Sequence, residues 1–124
     1  MELGESLEDY LEAILVLEEK IDHVRSVDVA SYLGFSKPSV SHAMKLLSQQ
    51  GYIKLDTSKI LNLTSEGRRI ATATYQRHCF FTDMLTGIGV PKEIATADAC
   101  KIEHVLSEES FQAIQKYYND KEAQ

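Results

Sequence analysis

The sequence offers little that would brace a chain covalently or carry it across a bilayer. Only two of its 124 residues are cysteine, Cys79 and Cys100, and they form no CxxC pair. A disulfide framework is therefore excluded, and two reduced thiols, buried or metal-bound, are expected. No apolar run approaches the roughly 20 residues of a membrane span. The opening MELGESLEDY lacks the basic and apolar stretches of a signal peptide, so a cytoplasmic chain with no membrane partner is expected. There are no repeats, no low-complexity tract and only two prolines. Excess positive charge is missing as well. The formal net charge of −6 argues against polyanion binding driven by bulk charge, though not against a local basic face. A chain this short cannot house a large enzyme. With 44% apolar and 26% charged residues, it falls among soluble globular proteins with one core, or two small cores sharing a helix.

What the chain does have is an alternation of helical and strand periods. Leu7, Leu11, Ile14, Leu15, Val16 and Leu17 follow Ser6 and Asp9 at largely helical spacing, which predicts a first helix starting near Ser6. After Asp22-His23-Val24-Arg25, Ser26 is placed to cap a short second helix that carries Val27, Val29, Ala30 and Leu33 and stops at Gly34. Ser36 is placed to cap a third helix, ending near Gly51. Pro38 falls in its first turn, where a missing N–H costs nothing, and Val40, Ala43, Met44 and Leu47 form its apolar stripe. Two short helices joined by the tight turn Leu33-Gly34-Phe35 have the form of a helix-turn-helix. Tyr52 to Leu55, the polar turn Asp56-Thr57-Ser58-Lys59, and Ile60 to Leu63 then read as strand, turn and strand, a wing. A long helix is predicted from Thr64-Ser65-Glu66-Gly67 to about Leu85. Another opens at Pro91 and runs through Leu106, and a last one begins at Ser107-Glu108-Glu109 and runs through Tyr118. The predicted fold class is mainly α: an N-terminal winged helix-turn-helix over residues 1–63 and a helical domain over 64–124, with the long helix bridging the boundary in place of a flexible linker.

Turning the third helix's stripe inward leaves Lys37, Pro38, Ser39, Ser41, His42 and Lys45 outward, near the positive helix end. Small polar and cationic side chains there suit a major groove, with lysines meeting phosphates and Ser39, Ser41 and His42 reaching base edges. From Ser36 to Lys59 four lysines, Lys37, Lys45, Lys54 and Lys59, stand against the single acid Asp56. Charge is segregated within an acidic chain, and double-stranded DNA is the expected partner. The blander reading is a solvated helix and hairpin serving protein contacts.

A second constellation lies further on. Cys100, Glu103 and His104 are spaced i, i+3, i+4, which on a helix projects thiolate, carboxylate and imidazole from one face. Asp9 and Glu12 share a face of the first helix, and His78 lies on the long one. Mixed soft and hard donors suit a first-row divalent ion such as Fe(II), Mn(II), Co(II) or Zn(II) better than calcium or magnesium. Taken alone, the spacing is better explained by the blander reading, a surface Glu-His pair beside a buried cysteine. Cys79 follows His78 but points about 100° away around the helix, as a packed thiol would. His23 is expected at the surface.

Read together, Ser6-Leu7-Glu8-Asp9-Tyr10-Leu11-Glu12-Ala13-Ile14, Ser36-Lys37-Pro38-Ser39-Val40-Ser41, Leu63-Thr64-Ser65-Glu66-Gly67, Arg77-His78 and Ala99-Cys100-Lys101-Ile102-Glu103-His104-Val105-Leu106-Ser107 resemble, in order and over nearly the whole chain, the diphtheria toxin repressor and manganese transport regulator family. The resemblance implies a metal-activated, homodimeric transcriptional repressor, a non-enzyme that binds operator DNA and controls metal-ion homeostasis. It implies an N-terminal winged helix followed by a helical metal-binding and dimerisation domain. It also implies Asp9, Glu12, His78, Cys100, Glu103 and His104 as ligands, with Fe(II) or Mn(II) as cofactor and Co(II) or Zn(II) as surrogates.

The chain departs from both branches of that family. Manganese regulators usually carry glutamate where Cys100 stands, and the iron-responsive branch carries cysteine there but methionine where Asp9 stands. Cys100 should shift preference toward iron, cobalt or zinc, while Asp9 with Glu12 makes a two-ion site feasible. The iron branch's second site is lost at Thr82 and near Thr96, and its SH3-like third domain has no counterpart in these residues. The dimer surface is expected among Phe80, Phe81, Met84, Leu85, Ile88, Val105, Phe111, Ile114, Tyr117 and Tyr118, and the metal is expected to tie the DNA-binding half to the dimer half. One rival is a metal-independent winged-helix module for DNA or protein. Another is a small metal-dependent hydrolase, which would need an open coordination position and a cleft that the sequence does not announce.

Overall fold

The computed structural model describes residues 5–122, with side chains from Leu7 onward. Elements follow in the order α1 (Glu5–Glu18), α2 (Ser26–Leu33), α3 (Lys37–Gln49), β1 (Ile53–Leu55), β2 (Leu61–Leu63), α4 (Ser65–Gly87), α5 (Lys92–Ile102) and α6 (Glu108–Glu122). The chain separates into two compact units, Met1–Thr74 and Tyr75–Gln124, and the division falls inside α4. Among the described residues no helix is long and apolar enough to cross a membrane.

Unit 1 is a winged helix-turn-helix. The start expected at Ser6 concerns a side chain outside the described ones; Glu5 is already helical. Leu11, Ile14 and Leu17 of α1 are buried with Val24, Val29, Val40, Met44, Leu47, Ile53 and Leu61 in one apolar core. α2 begins differently from the expectation. Ser26 is its first helical residue and Arg25 takes the cap position, with the Arg25 backbone N–H donating to the Asp28 carboxylate at 2.9 Å. A carboxylate three residues into the helix reaches back to the cap, so the serine is not needed there. Gly34 ends α2 with φ 73°, a left-handed conformation that glycine adopts without a Cβ clash. α3 starts as expected: the Ser36 hydroxyl accepts from the Ser39 N–H at 3.3 Å and Pro38 sits in the first turn.

The wing is a two-stranded antiparallel hairpin pairing Ile53 with Leu63, Lys54 with Asn62 and Leu55 with Leu61. Each strand is one residue shorter than its apolar run. The Tyr52 carbonyl accepts from the Thr64 N–H at 3.1 Å, and the Ile60 N–H donates to the Asp56 carboxylate at 3.0 Å. Asp56 also accepts from the Ser58 N–H at 2.8 Å, so one carboxylate shapes the turn, and Lys59 closes it at φ 63°. The Leu61 N–H donates to the Val24 carbonyl at 2.8 Å, binding the hairpin to the segment before α2. Thr64 caps α4 by accepting from the Gly67 N–H at 3.1 Å while its hydroxyl donates to the Gly51 carbonyl at 2.7 Å. Gly67 is pressed so close to the wing that a Cβ would lie 1.9 Å from the Tyr52 carbonyl oxygen.

Unit 2 packs the second part of α4 with α5 and α6 around Phe81, Ala99 and Phe111, and Phe80, Met84, Ile102, Leu106 and Ile114 pack against them. Phe80 makes edge-on contacts with Phe81, Phe111 and Tyr118 at 5.2, 5.6 and 5.7 Å between ring centres. Of the residues expected at a dimer surface, Phe81 and Phe111 therefore belong to this core, whereas Ile88, Val105 and Tyr117 are exposed.

The helix expected to run to Leu106 stops at Ile102. Glu103 keeps helical angles, but the N–H groups of His104 and Val105 turn back to Lys101 and Ile102, three residues away, tightening the chain into a turn. Pro91 caps α5 instead of forming its first residue. The Ser107 hydroxyl accepts from the Ser110 N–H at 3.1 Å at the head of α6, which continues past Tyr118 to Glu122.

Candidate metal centre and nucleic-acid face

In unit 1, Lys37, Pro38, Ser39, Ser41, His42 and Lys45 are all exposed, while Val40, Ala43, Met44 and Leu47 of the same helix are buried. The 3.6-residue period thus separates a core stripe from a polar face, as the sequence implied. Ser39 also bonds the Ser36 hydroxyl at 2.8 Å, which fixes the first turn of α3. Lys54 and Lys59 are exposed on the hairpin. Sequence reasoning missed Arg25, whose Nε donates to the Ser58 carbonyl at 3.3 Å and ties the wing tip to the head of α2. Its partner is a main-chain oxygen 33 residues away, a pairing that no local pattern announces.

In unit 2, three of the predicted ligands meet. His78 comes from α4, Cys100 from α5, and Glu103 from the first residue after α5. One ligand atom of each lies within 4.8 Å of the other two. His78 Nδ1 is 3.0 Å from the Glu103 carboxylate and 3.6 Å from the Cys100 sulfur. His104 joins through Glu103, with its Nε2 3.2 Å from the other carboxylate oxygen. Asp9 and Glu12 lie three residues apart on α1, partly buried, in unit 1. His23 and His42 are exposed in unit 1, and Cys79 is half-buried.

The chemistry of the cluster follows from the burial of its carboxylate, with His78 half-buried and Cys100 exposed. Glu103 is buried, and a carboxylate removed from water needs compensating charge and hydrogen bonds. Two imidazoles flank it, and a cation bound among these donors would supply such charge. Metal–ligand bonds to nitrogen, oxygen and sulfur measure roughly 2.0–2.3 Å, so donors 3.0 and 3.6 Å apart already stand at the spacing that one ion would bridge. A soft sulfur, a borderline nitrogen and a hard oxygen fit a first-row transition ion and not calcium or magnesium. A histidine that offers Nδ1 keeps its proton on Nε2.

Arg77, adjacent to His78, was not given a role by sequence reasoning. It is largely buried and holds the turn after α5. One terminal nitrogen donates to the carbonyls of Glu103 and Leu106 at 3.3 and 2.7 Å, and the other pairs with the Glu108 carboxylate at 2.7 Å. The guanidinium lies 4.9 Å from the centre of the Phe111 ring. It holds Glu108 below the usual carboxylate range, chiefly through the side-chain hydrogen bond.

A winged helix with an outward basic face, followed by a helical unit with a sulfur, nitrogen and oxygen donor cluster, defines the class of metal-dependent DNA-binding regulators. Comparison with known proteins narrows this. Residues 2–61 match the family described as iron dependent repressor, N-terminal DNA binding domain. Residues 64–123 match iron dependent repressor, metal binding and dimerisation domain. The transcriptional regulator MntR of Escherichia coli O6:H1 is 35% identical over 113 residues, covering 91% of this chain and 73% of the relative. The iron-dependent repressor IdeR of Mycobacterium tuberculosis H37Rv is 32% identical over 120 residues, covering 96% and 52%. The solved structure of a manganese-dependent transcriptional repressor in complex with manganese superposes with a TM-score of 0.80 at 27% identity, covering 90% and 51%. The chain belongs to the iron-dependent repressor family of metal-dependent transcriptional regulators. It spans nearly three quarters of MntR and about half the length of IdeR and of the manganese-bound structure.

Proposed function

We propose that the chain is a metal-activated repressor that binds operator DNA in the cytoplasm as a homodimer and adjusts gene expression to the supply of Fe(II) or Mn(II). Convergence of His78, Cys100 and Glu103 within 4.8 Å is the observation that carries this reading. These three with His104 hold the ion. Asp9 and Glu12 are added as ligands on the family pattern. The names of IdeR and of the manganese-bound repressor support iron or manganese as effector. Cys100, a thiolate where manganese regulators usually offer a carboxylate, moves the preference toward iron, with Co(II) and Zn(II) as surrogates.

When bound, a divalent ion supplies the positive charge that lets a thiolate and several carboxylates lie together. The DNA-competent arrangement of the dimer gains population according to its greater affinity for that ion. Lys37, Lys45, Lys54 and Lys59 meet phosphates, and Ser39, Ser41 and His42 approach base edges, with Pro38 in the first turn of the helix that carries them. A single winged helix covers too little DNA for a selective site, so two copies reading a pseudo-palindrome are required. The chain regulates and catalyses no reaction.

The test uses DNA selected from a random pool by the Mn(II)-loaded protein, under anaerobic conditions. Fluorescence anisotropy should show affinity rising roughly 5- to 150-fold on adding Mn(II) or Fe(II), the span of ordinary allosteric couplings. Chelator should reverse the gain. His78→Ala should lose the metal response while its circular dichroism matches that of the parent. Equal affinity in stripped and loaded protein would refute the reading.

A further inference from the structure

The last carbonyls of a helix have no partner within it, and water or a cap normally takes them. At the cap of α5 and in the turn beyond it, a side chain takes this part. Arg77 reaches across from α4 and donates to the carbonyls of Glu103 and Leu106 at 3.3 and 2.7 Å. The remaining contacts of the same guanidinium, to Glu108 at 2.7 Å and to the Phe111 ring at 4.9 Å, hold it in one place. The segment it grips carries Glu103 and His104, and its own backbone neighbour is His78. The grip and the first ligand thus share one turn of α4, and the segment gripped supplies Glu103 and His104, while Cys100 lies one turn earlier on α5.

We propose that Arg77 is a positioning residue for metal capture: it fixes the turn over residues 103–107 so that Glu103 faces His78, with His104 at its other carboxylate oxygen, before any ion arrives. The inference rests on the metal-binding reading and deepens it. A planar fork is needed because two carbonyls and a carboxylate must be met together, which a lysine's point-like ammonium does less well. Without the fork the turn samples other conformations, and the ion must order it on binding. The loss therefore appears in affinity and coordination geometry, beyond any loss of fold stability.

Co(II) serves as the probe, titrated anaerobically into the full chain, with its absorption spectrum and dissociation constant recorded beside the melting temperature of the metal-stripped protein. Arg77→Met keeps an unbranched apolar stem and removes the donors together with the charge over Phe111. It should weaken Co(II) by about 10- to 100-fold, the usual cost of losing a group that orients ligands, and should alter the visible bands. Arg77→Lys should recover part of the loss. Glu108→Gln alters an exposed anchor of the guanidinium, a carboxylate that also accepts from Gln112 at 3.1 Å, and so reports even if Arg77→Met folds poorly; it should weaken Co(II) by a smaller factor in the same direction. A parent-like Co(II) affinity and spectrum in Glu108→Gln and in every Arg77 variant that folds would overturn the proposal, whatever their melting temperatures. Failure of the parent protein to take up Co(II) would instead sink the metal-binding reading, and this inference with it.

Discussion

At Gly67 the main chain of α4 passes the Tyr52 carbonyl so closely that a methyl group would stand 1.9 Å from its oxygen. No rotamer change relieves a clash with backbone. Gly67→Ala must push the head of α4 off the wing, breaking the Thr64 cap geometry with it. A loss of about 1–3 kcal/mol or more is expected, read as a lower urea midpoint with an unchanged slope. Lys59 presents the opposite case. Its φ of 63° is a conformation that costs a side chain on the order of 1–2 kcal/mol, and the turn tolerates it because Asp56 binds the N–H groups on both sides. Neither position is legible in the sequence. Gly67 reads there as part of a helix start and Lys59 as a polar turn residue, and what constrains each is main chain that other segments place beside it.

The helices and the hairpin were legible where a period and a stop signal coincide. On α3 the spacing of Val40, Ala43, Met44 and Leu47, the Ser36 cap and Pro38 all agree, and burial follows the pattern. Since Lys37 lies exposed beside that cap, Lys37→Ala should weaken binding to all DNA sequences alike. It should also flatten the plot of log affinity against log salt by about 0.9 if it neutralises one phosphate, measured by anisotropy over a salt series. An unchanged slope would remove Lys37 from the contact surface. Reasoning from period failed at the end of α5, where Cys100, Glu103 and His104 mimic one face of a continuing helix. The cluster forms nevertheless, since Glu103 retains helical angles and stays with Cys100. The role of Arg77 escaped because its partners lie 26 to 31 residues on and two of them are carbonyls.

For the molecule as a whole, an ion that binds only the folded chain adds to its stability by mass action. At a free concentration of a hundred dissociation constants the gain is about 2.7 kcal/mol, which for a chain this size raises the melting midpoint by roughly 10 °C. Differential scanning calorimetry of stripped and Co(II)-loaded protein should show the rise, and His78→Ala should lack it. A midpoint indifferent to Co(II) in the parent chain would contradict the assignment. The family and the donor types were legible from short motifs strung along the chain, whereas their convergence is set by how α4 and α5 pack.

The two cores divide within α4, whose 23 residues run without a break from Ser65 to Gly87. Anyone wishing to express either half separately has no tether to cut. A truncation at the division would sever a continuous ladder of amide hydrogen bonds, leaving four carbonyls raw on one fragment and four N–H groups raw on the other.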